Sequence, residues 1–290
     1  MYYYIVNPAA GGAKINKIQD RLQERLGKLG IMGEFVKSTG PDDVGKLARI
    51  GLEKGYKTIV AVGGDGTINE VMNSILGYEK VALGIIPTGT TNDLAESLGI
   101  KDWFTATNIL AARKVEEINL GKVGNRYFLT SVSVGFDPRA NTLKRLSLGK
   151  LPERIRFALG MFKHAASFKP IKAHLTFDKN YEVEAECFNI SVSSGIFSPV
   201  KGKKVNLSKR LDTLVVTKIP GAKALKYGYL ADVSAIELPK ISVFRSDRIF
   251  IDTQKPTEVA ADGQIIGETP VEIKTTDEKL RVIVSKKRTR

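Results

Sequence analysis

The stretch KTIVAVGGDGTINEVMNSIL, residues 57–76, decides the fold. Lys57 to Val62 is a short apolar run rich in β-branched residues, as a buried strand is. Gly63-Gly64-Asp65-Gly66-Thr67 follows as a polar, glycine-rich loop, and Ile68 to Leu76 reads as a helix. A strand that feeds such a loop and then a helix is half of a βαβ unit.

Outward from this stretch the pattern recurs. Tyr2 to Val6 is a strand, NPAAGG its loop, and Ile15, Ile18, Leu22, Leu26 and Leu29 recur at helical spacing until Gly30 closes the helix. Residues 31–37 read as a strand, followed by STGPDD and a helix over about 42–54. Val81 to Ile86 is a fourth strand, with PTGTTND and a helix through Leu98 after it. Strands alternating with helices imply a parallel sheet wrapped on both faces.

After Gly121 the pattern changes. Residues 127–134, 171–177, 181–194, 213–219, 240–251, 257–261, 271–274 and 280–284 read as strands, many alternating apolar and polar residues. A basic helical insert is expected near 152–168 and another helix near 222–234. The expected architecture is an α/β domain over 1–121 and a mainly-β sandwich or flattened barrel over 122–290. GKVG, residues 121–124, reads as a short hinge.

Bulk properties narrow the field. The 290 residues are 42% apolar and 26% charged, which excludes wholesale disorder. No apolar run approaches the roughly 20 residues that span a bilayer, and MYYYIVNPAAGG lacks a basic flank and a cleavage site. The protein is therefore expected neither to be secreted nor to cross a membrane. One cysteine excludes an internal disulfide and a cysteine-rich zinc site, and two histidines leave little for a histidine metal centre. Forty-five Lys and Arg against 31 Asp and Glu give a net charge of +14, which favours nucleic acid, phosphorylated ligands or acidic lipid without choosing among them.

In an open parallel sheet, ligands bind beyond the carboxyl ends of the strands. The loops at those ends carry Asn7 and Gly11, Thr39, Gly63 to Thr67, and Thr88 to Asp93. Small residues and helix N-termini suit phosphate, and a carboxylate among them suits a divalent cation that the phosphate carries. Each loop also has a purely structural reading. Thr67 and Glu70 have the spacing of a capping box, and Asp93 can cap a helix that has Glu96 three residues on. Two such loops at neighbouring strand ends favour the ligand reading. No G-x-x-x-x-G-K-[ST] occurs, and Gly64-Asp65-Gly66 lacks the third glycine of a dinucleotide fingerprint.

NPAAGG, VGGDGTINEVMN and IPTGTTNDLAESLGI closely resemble the motifs of the bacterial diacylglycerol kinase family, soluble lipid kinases related to sphingosine kinases and more distantly to NAD kinases. The resemblance runs on through NLGKVGNRYFLTSVSVGFD to ADGQIIGETP, over most of the chain. GGDGT alone is shared with NAD kinases; followed by PxGTxND it is far more specific. The resemblance implies a Rossmann-like, NAD-kinase/phosphofructokinase-like first domain, a nucleotide site between the domains, and a lipid phosphorylated by ATP with Mg²⁺. It places Asn7, Pro8, Ala9, Ala10, Gly11, Thr39, Gly64, Asp65, Gly66, Thr67, Ile68, Asn69, Glu70 and Thr90 around the nucleotide. Asp65 and Asp93 resemble the acidic residues that organise Mg²⁺ through water.

The sequence departs from the family at three places. The general base of the family is the Glu of a DGE motif, and here the motif reads Asp262-Gly263-Gln264. A glutamine amide hydrogen-bonds a hydroxyl but does not take its proton. Asn119 stands where the family has Asp. The metal loop of the family, DDGxF, corresponds to SKRLDTLVV and keeps only Asp212. Asp262, Glu258 or Glu268 could stand in for the missing base.

The expected activity is transfer of the ATP γ-phosphate to a lipid hydroxyl, with diacylglycerol as substrate, phosphatidic acid as product and Asp65, Asp93, Asp262 and Gln264 at the reacting centre. The alternatives are a nucleotide-binding pseudokinase and an NAD kinase. Nucleic-acid binding ranks last, because it explains the charge and not the two loops. Nine cations between Arg139 and Lys172, with Ile155, Leu159, Phe162 and Ala166 on one helical face, suit docking on an anionic membrane surface. That implies a cytoplasmic enzyme held peripherally at the inner face of the membrane. The oligomeric state, a homodimer included, is open at this point. Cys187, Trp103, Phe104, His164 and His174 are read as packing or surface residues.

Overall fold

A computed structural model describes residues 1–40, 43–90, 92–136, 168–178, 180–194, 210–217 and 241–285. The chain divides into two compact units, Met1–Leu120 with Thr276–Arg290, and Gly121–Thr275. The expected basic insert at 152–168, the helix near 222–234 and His164 lie outside the described residues.

The first unit is an α/β layer structure. Strands β1 (Tyr2–Val6), β2 (Gly33–Lys37), β3 (Thr58–Gly63) and β4 (Ala82–Pro87) form a parallel sheet in the order β2-β1-β3-β4. β1, β3 and β4 are buried along their whole length, as strands covered on both faces must be. Helices α1 (Lys14–Lys28) and α5 (Trp103–Ala112) pack against each other, as do α2 (Asp43–Glu53) and α3 (Asp65–Ile75). Apolar Ile15, Ile18, Leu22 and Leu26 are the buried stripe of α1, and Gly30 follows it at φ 66°, as the periodicity predicts. A short helix α4 (Asp93–Ser97) follows β4.

The second unit is an antiparallel sandwich. One sheet holds β12 (Ile241–Ser246), β11 (Leu211–Val216), β10 (Asn189–Ser193), β7 (Ser131–Gly135), β14 (Glu258–Ala261) and β15 (Gln264–Glu268), in that order. The other pairs β9 (Tyr181–Cys187) with β8 (Ile171–Phe177), β8 with β13 (Arg248–Thr253), and β13 with Val271–Lys274 of β16 (Val271–Ile283). Val132, Val134, Ile190, Val192 and Val215 from the first sheet share one core with Leu175, Phe177, Ile249, Ile251 and Ile273 from the second. Cys187 belongs to that core, and burial pushes its thiol up to about 12.

Several boundaries differ from the sequence reading. The run 181–194 is two strands in different sheets, broken at Phe188, whose ring packs 4.6 Å from Phe136 and 5.0 Å from Phe168. The run 240–251 likewise breaks at Asp247, whose N–H donates to the Asp178 carboxylate at 2.9 Å. Residues 271–274 and 280–284, read as separate strands, are one continuous strand except for Val284. Its far end returns to the first unit, where Val282 lies opposite Leu83 of β4. At GKVG, Gly121 to Val123 end β5 (Val115–Val123) and pair with β6 (Arg126–Phe128), and Gly124 turns the hairpin.

Candidate functional site

The carboxyl ends of β1, β3 and β4 lie side by side, and the sheet ladder runs on into their loops. Asn7 N–H donates to Val62 O at 2.9 Å, and Thr88 N–H donates to Gly63 O at 2.9 Å. The backbones that follow touch. A Cβ built on Gly89 would lie 2.5 Å from the Gly64 Cα, and one on Gly11 would lie 2.1 Å from the Thr88 carbonyl oxygen. Only glycine permits these approaches, and Gly11 also sits at φ 58°.

Polar side chains fasten the three loops together. The Asn7 amide donates to Thr67 Oγ1 at 3.0 Å and its oxygen accepts from Ala9 N–H at 3.1 Å. The Asn92 side chain clamps Gly89, accepting its N–H at 2.8 Å and donating to its carbonyl at 2.9 Å. Asp65 reaches across to the other loop: Oδ2 accepts from Asp93 N–H at 3.1 Å and Oδ1 from Leu94 N–H at 2.8 Å. Asp65 therefore caps the start of α4 from a different loop.

This replaces both structural readings of the motifs. The helix after β3 begins at Asp65 with Gly64 as its N-cap, so Thr67 lies inside the helix and is no cap residue. Thr67 is instead buried and bound to Asn7. Asn92, in the left-handed region at φ 55°, is the N-cap of α4, and Asp93 is its first residue. Gly66, Ile68, Asn69 and Glu70 ride on the first turns of α3, with Ile68 and Asn69 buried. Pro8, Ala9 and Ala10 form the turn after β1. Thr39 is the second residue after β2 and is exposed; its N–H and hydroxyl both donate to Asp43, at 2.8 and 3.1 Å. Thr90 is exposed beside Gly89.

The residues present fit a metal that arrives with a triphosphate. Both Asp65 oxygens accept backbone N–H groups, which fixes the carboxylate in the loop bed, and a carboxylate so placed suits contact with metal-bound water. Asp93 opens the neighbouring helix α4, and its backbone N–H donates to Asp65 Oδ2.

In the second unit, Asp262 and Gly263 form the two-residue turn between β14 and β15, at φ 47° and 79°. Asp262 is buried, and its carboxylate accepts from Leu129 N–H (2.9 Å), Thr130 N–H (2.8 Å), Thr130 Oγ1 (2.7 Å) and Ser131 N–H (3.3 Å). A carboxylate so engaged anchors the hairpin tip to that segment. Glu258 pairs with Glu268 at the open end of the hairpin. Glu268 is four residues from Gln264, about 13 Å of strand at roughly 3.3 Å per residue. Gln264 is the first residue of β15 and is half-buried.

Asp212 accepts a hydrogen bond from Arg245 Nε at 2.8 Å, directly across from it on β12, and the two form a cross-strand ion pair. No group of three His, Cys, Asp or Glu side chains suited to a metal occurs among the described residues. Arg210 pairs with Asp178 at 2.9 Å and Asp247 at 3.2 Å. Phe104 is half-exposed with the Arg25 guanidinium over its ring, and Trp103 packs edge-on against it.

Comparison with known proteins bears on the fold and the family. Residues 1–123 match the diacylglycerol kinase catalytic domain, and residues 130–284 match the YegS C-terminal NAD kinase beta sandwich-like domain. A Bacillus subtilis protein named diacylglycerol kinase is 23% identical over 298 residues, covering 98% of this chain and 96% of its own length. In three dimensions the chain is similar to a diacylglycerol kinase from Bacillus anthracis, at TM-score 0.73 and 20% identity over 98% of this chain and 97% of that one. It is also similar to an NAD kinase from Archaeoglobus fulgidus in complex with ATP, at TM-score 0.54 and 19% identity over 99% and 95% of the two chains. With both halves matched in their proper order, the chain belongs to the bacterial diacylglycerol kinase family of lipid kinases.

Proposed function

We propose that this lipid kinase transfers the γ-phosphoryl group of ATP to the hydroxyl of diacylglycerol at a membrane surface. The observation that carries the reading is the fastening of the Asn7, Gly64 and Gly89 loops into one glycine-lined bed at the strand ends. Backbone N–H groups and the start of α3 offer triphosphate oxygens fixed donors. Asp65 and Asp93 would hold Mg²⁺ through its waters. Bound to the triphosphate, the ion would neutralise charge on the β- and γ-oxygens.

The reaction forms a bond from the lipid hydroxyl oxygen to the γ-phosphorus and breaks the bond from that phosphorus to the bridging oxygen, releasing ADP. Gln264 can orient the hydroxyl by hydrogen bonding, while its proton passes to solvent or to a phosphoryl oxygen. A loose transition state needs little base assistance, which makes such an arrangement workable. The basic stretch Arg139 to Lys172 would supply the membrane contact, and a cytoplasmic, peripheral location follows from that. No described helix is long and apolar enough to cross a membrane.

The direct test presents the protein with labelled ATP, Mg²⁺ and diacylglycerol in phosphatidylglycerol vesicles and separates the lipids. Labelled phosphatidic acid is expected; labelled NADP⁺ from NAD⁺ in a parallel reaction would overturn the lipid reading. One observation favours a second reading. Gln264 replaces the family carboxylate while Asp262 is engaged and Glu268 is remote. Tight Mg·ATP binding without any turnover would establish a nucleotide-binding pseudokinase.

A further inference from the structure

The Asp262 carboxylate lies in a cradle of three consecutive N–H groups and one hydroxyl, from Leu129, Thr130 and Ser131. The bond is returned: Asp262 N–H donates to Ser131 O at 2.9 Å. The segment it grips is itself held from behind. Ser194 donates its hydroxyl to Leu129 O at 2.5 Å and its N–H to Thr130 O at 3.1 Å. Ser131 then begins β7, the neighbour of β14. So the tip of the β14–β15 hairpin is tied to a backbone that has no slack of its own.

That restraint acts at an unusual place. A two-residue turn with both φ angles positive leaves the tip of a hairpin at the solvent edge, where it would ordinarily be mobile. Here the first turn residue is buried at 6% exposure and saturated with charge-assisted hydrogen bonds. The residue after the turn is Gln264. Its side chain leaves the backbone two positions from the anchor, so a shift of the tip moves it directly.

We propose that Asp262 is a positioning residue that acts through Gln264: its carboxylate locks the hairpin tip onto Leu129–Ser131 and so fixes the Gln264 amide for the reacting hydroxyl. The proposal rests on the kinase reading above. It explains why a carboxylate persists at 262 in a chain that has an amide at 264. An amide that must orient a hydroxyl without taking its proton works by placement alone, so its frame has to be rigid. A misplacement of about 1 Å can cost on the order of a hundredfold in rate.

The test is a double-mutant cycle on kcat and KM with labelled ATP and a dispersed short-chain diacylglycerol, using D262N, Q264A and the double variant. D262N is expected to lower kcat about ten- to a hundredfold, with KM for ATP within about twofold of the parent. In the Q264A background the same change should cost less than about threefold, because the group being positioned is gone. T130V, which removes one donor and keeps the side-chain shape, gives a milder lesion should D262N fold poorly, and it must show the same dependence on Gln264. Full additivity of either pair in a folded protein overturns the proposal and leaves the kinase reading standing. An inactive parent protein removes the kinase reading and the proposal with it.

Discussion

Asp65 caps the N–H of Leu94, Oδ1 to N 2.8 Å, across 29 positions of sequence. The residue expected to face a metal is thus also the brace that holds the second loop at its station. Substitution with alanine should therefore fail in two ways. Loss of a cap costs about 1–2 kcal/mol, and the Asp93 turn is released. Urea unfolding should show the stability loss, and calorimetry should show weaker Mg·ATP binding; wild-type binding by D65A would refute the bracing role.

Gly89 meets Gly64 backbone to backbone, so G89A must push the loops apart. We expect loss of ATP binding by at least about tenfold, on the reasoning that a shift of about 1 Å at such a site is costly. Gly40 has nothing within 4 Å of its Cβ position among the described residues. G40A should change stability by less than about 0.5 kcal/mol and serves as the control.

If position 264 faces the reacting hydroxyl, Q264E supplies the missing proton acceptor. A general base contributes about 10²–10⁴ in rate, so kcat should rise by at least an order of magnitude. An unchanged kcat in a folded Q264E protein would remove that position from the reaction.

The sandwich core contains a hydroxyl with no partner among the described residues, Thr213 Oγ1, on a fully buried residue opposite Phe244. Replacing it with valine keeps the shape and removes a desolvated polar group. T213V should gain about 1 kcal/mol and melt about 2–4 °C higher. A lower melting temperature would mean the hydroxyl is satisfied in solution.

Cys187 reports on the same core. Burial raises its folded value to about 12 from about 9 in the unfolded chain, so its contribution is present below pH 9 and is lost as pH climbs toward 12. The native protein should resist iodoacetamide at pH 8 and label fully in urea, as mass spectrometry would show.

The sequence reading succeeded where local pattern and tertiary role coincide. Buried parallel strands are continuous apolar runs, so Tyr2–Val6 and Thr58–Gly63 could be found from composition alone. The glycines of the site were visible because close backbone approach tolerates no other residue. The reading failed where one residue serves two neighbours. Phe188 and Asp247 sit inside unbroken β-like runs, and only the opposing sheet shows that the chain changes partners there. Thr67 and Glu70 have capping-box spacing, yet the helix starts three residues earlier, at Asp65, because Gly64 is needed against Gly89. Strand β15 lies outside the sequence reading although Asp262-Gly263 is a strong hairpin signal, because QIIGE is short and carries Gly267 inside it. The anchor at Asp262 was illegible, since its partners lie more than 130 positions away.

The path of β16 has a consequence for how this protein comes off the ribosome. Its last residues supply the strand beside β4, so the nucleotide-loop unit is not a contiguous stretch of chain. Until residue 283 has emerged, the β4 edge is open and its apolar backbone is a template for stray pairing. The early portion must therefore wait for the whole sandwich to be synthesised before it can finish folding, and expression of residues 1–121 alone should yield aggregates rather than a small nucleotide-binding domain.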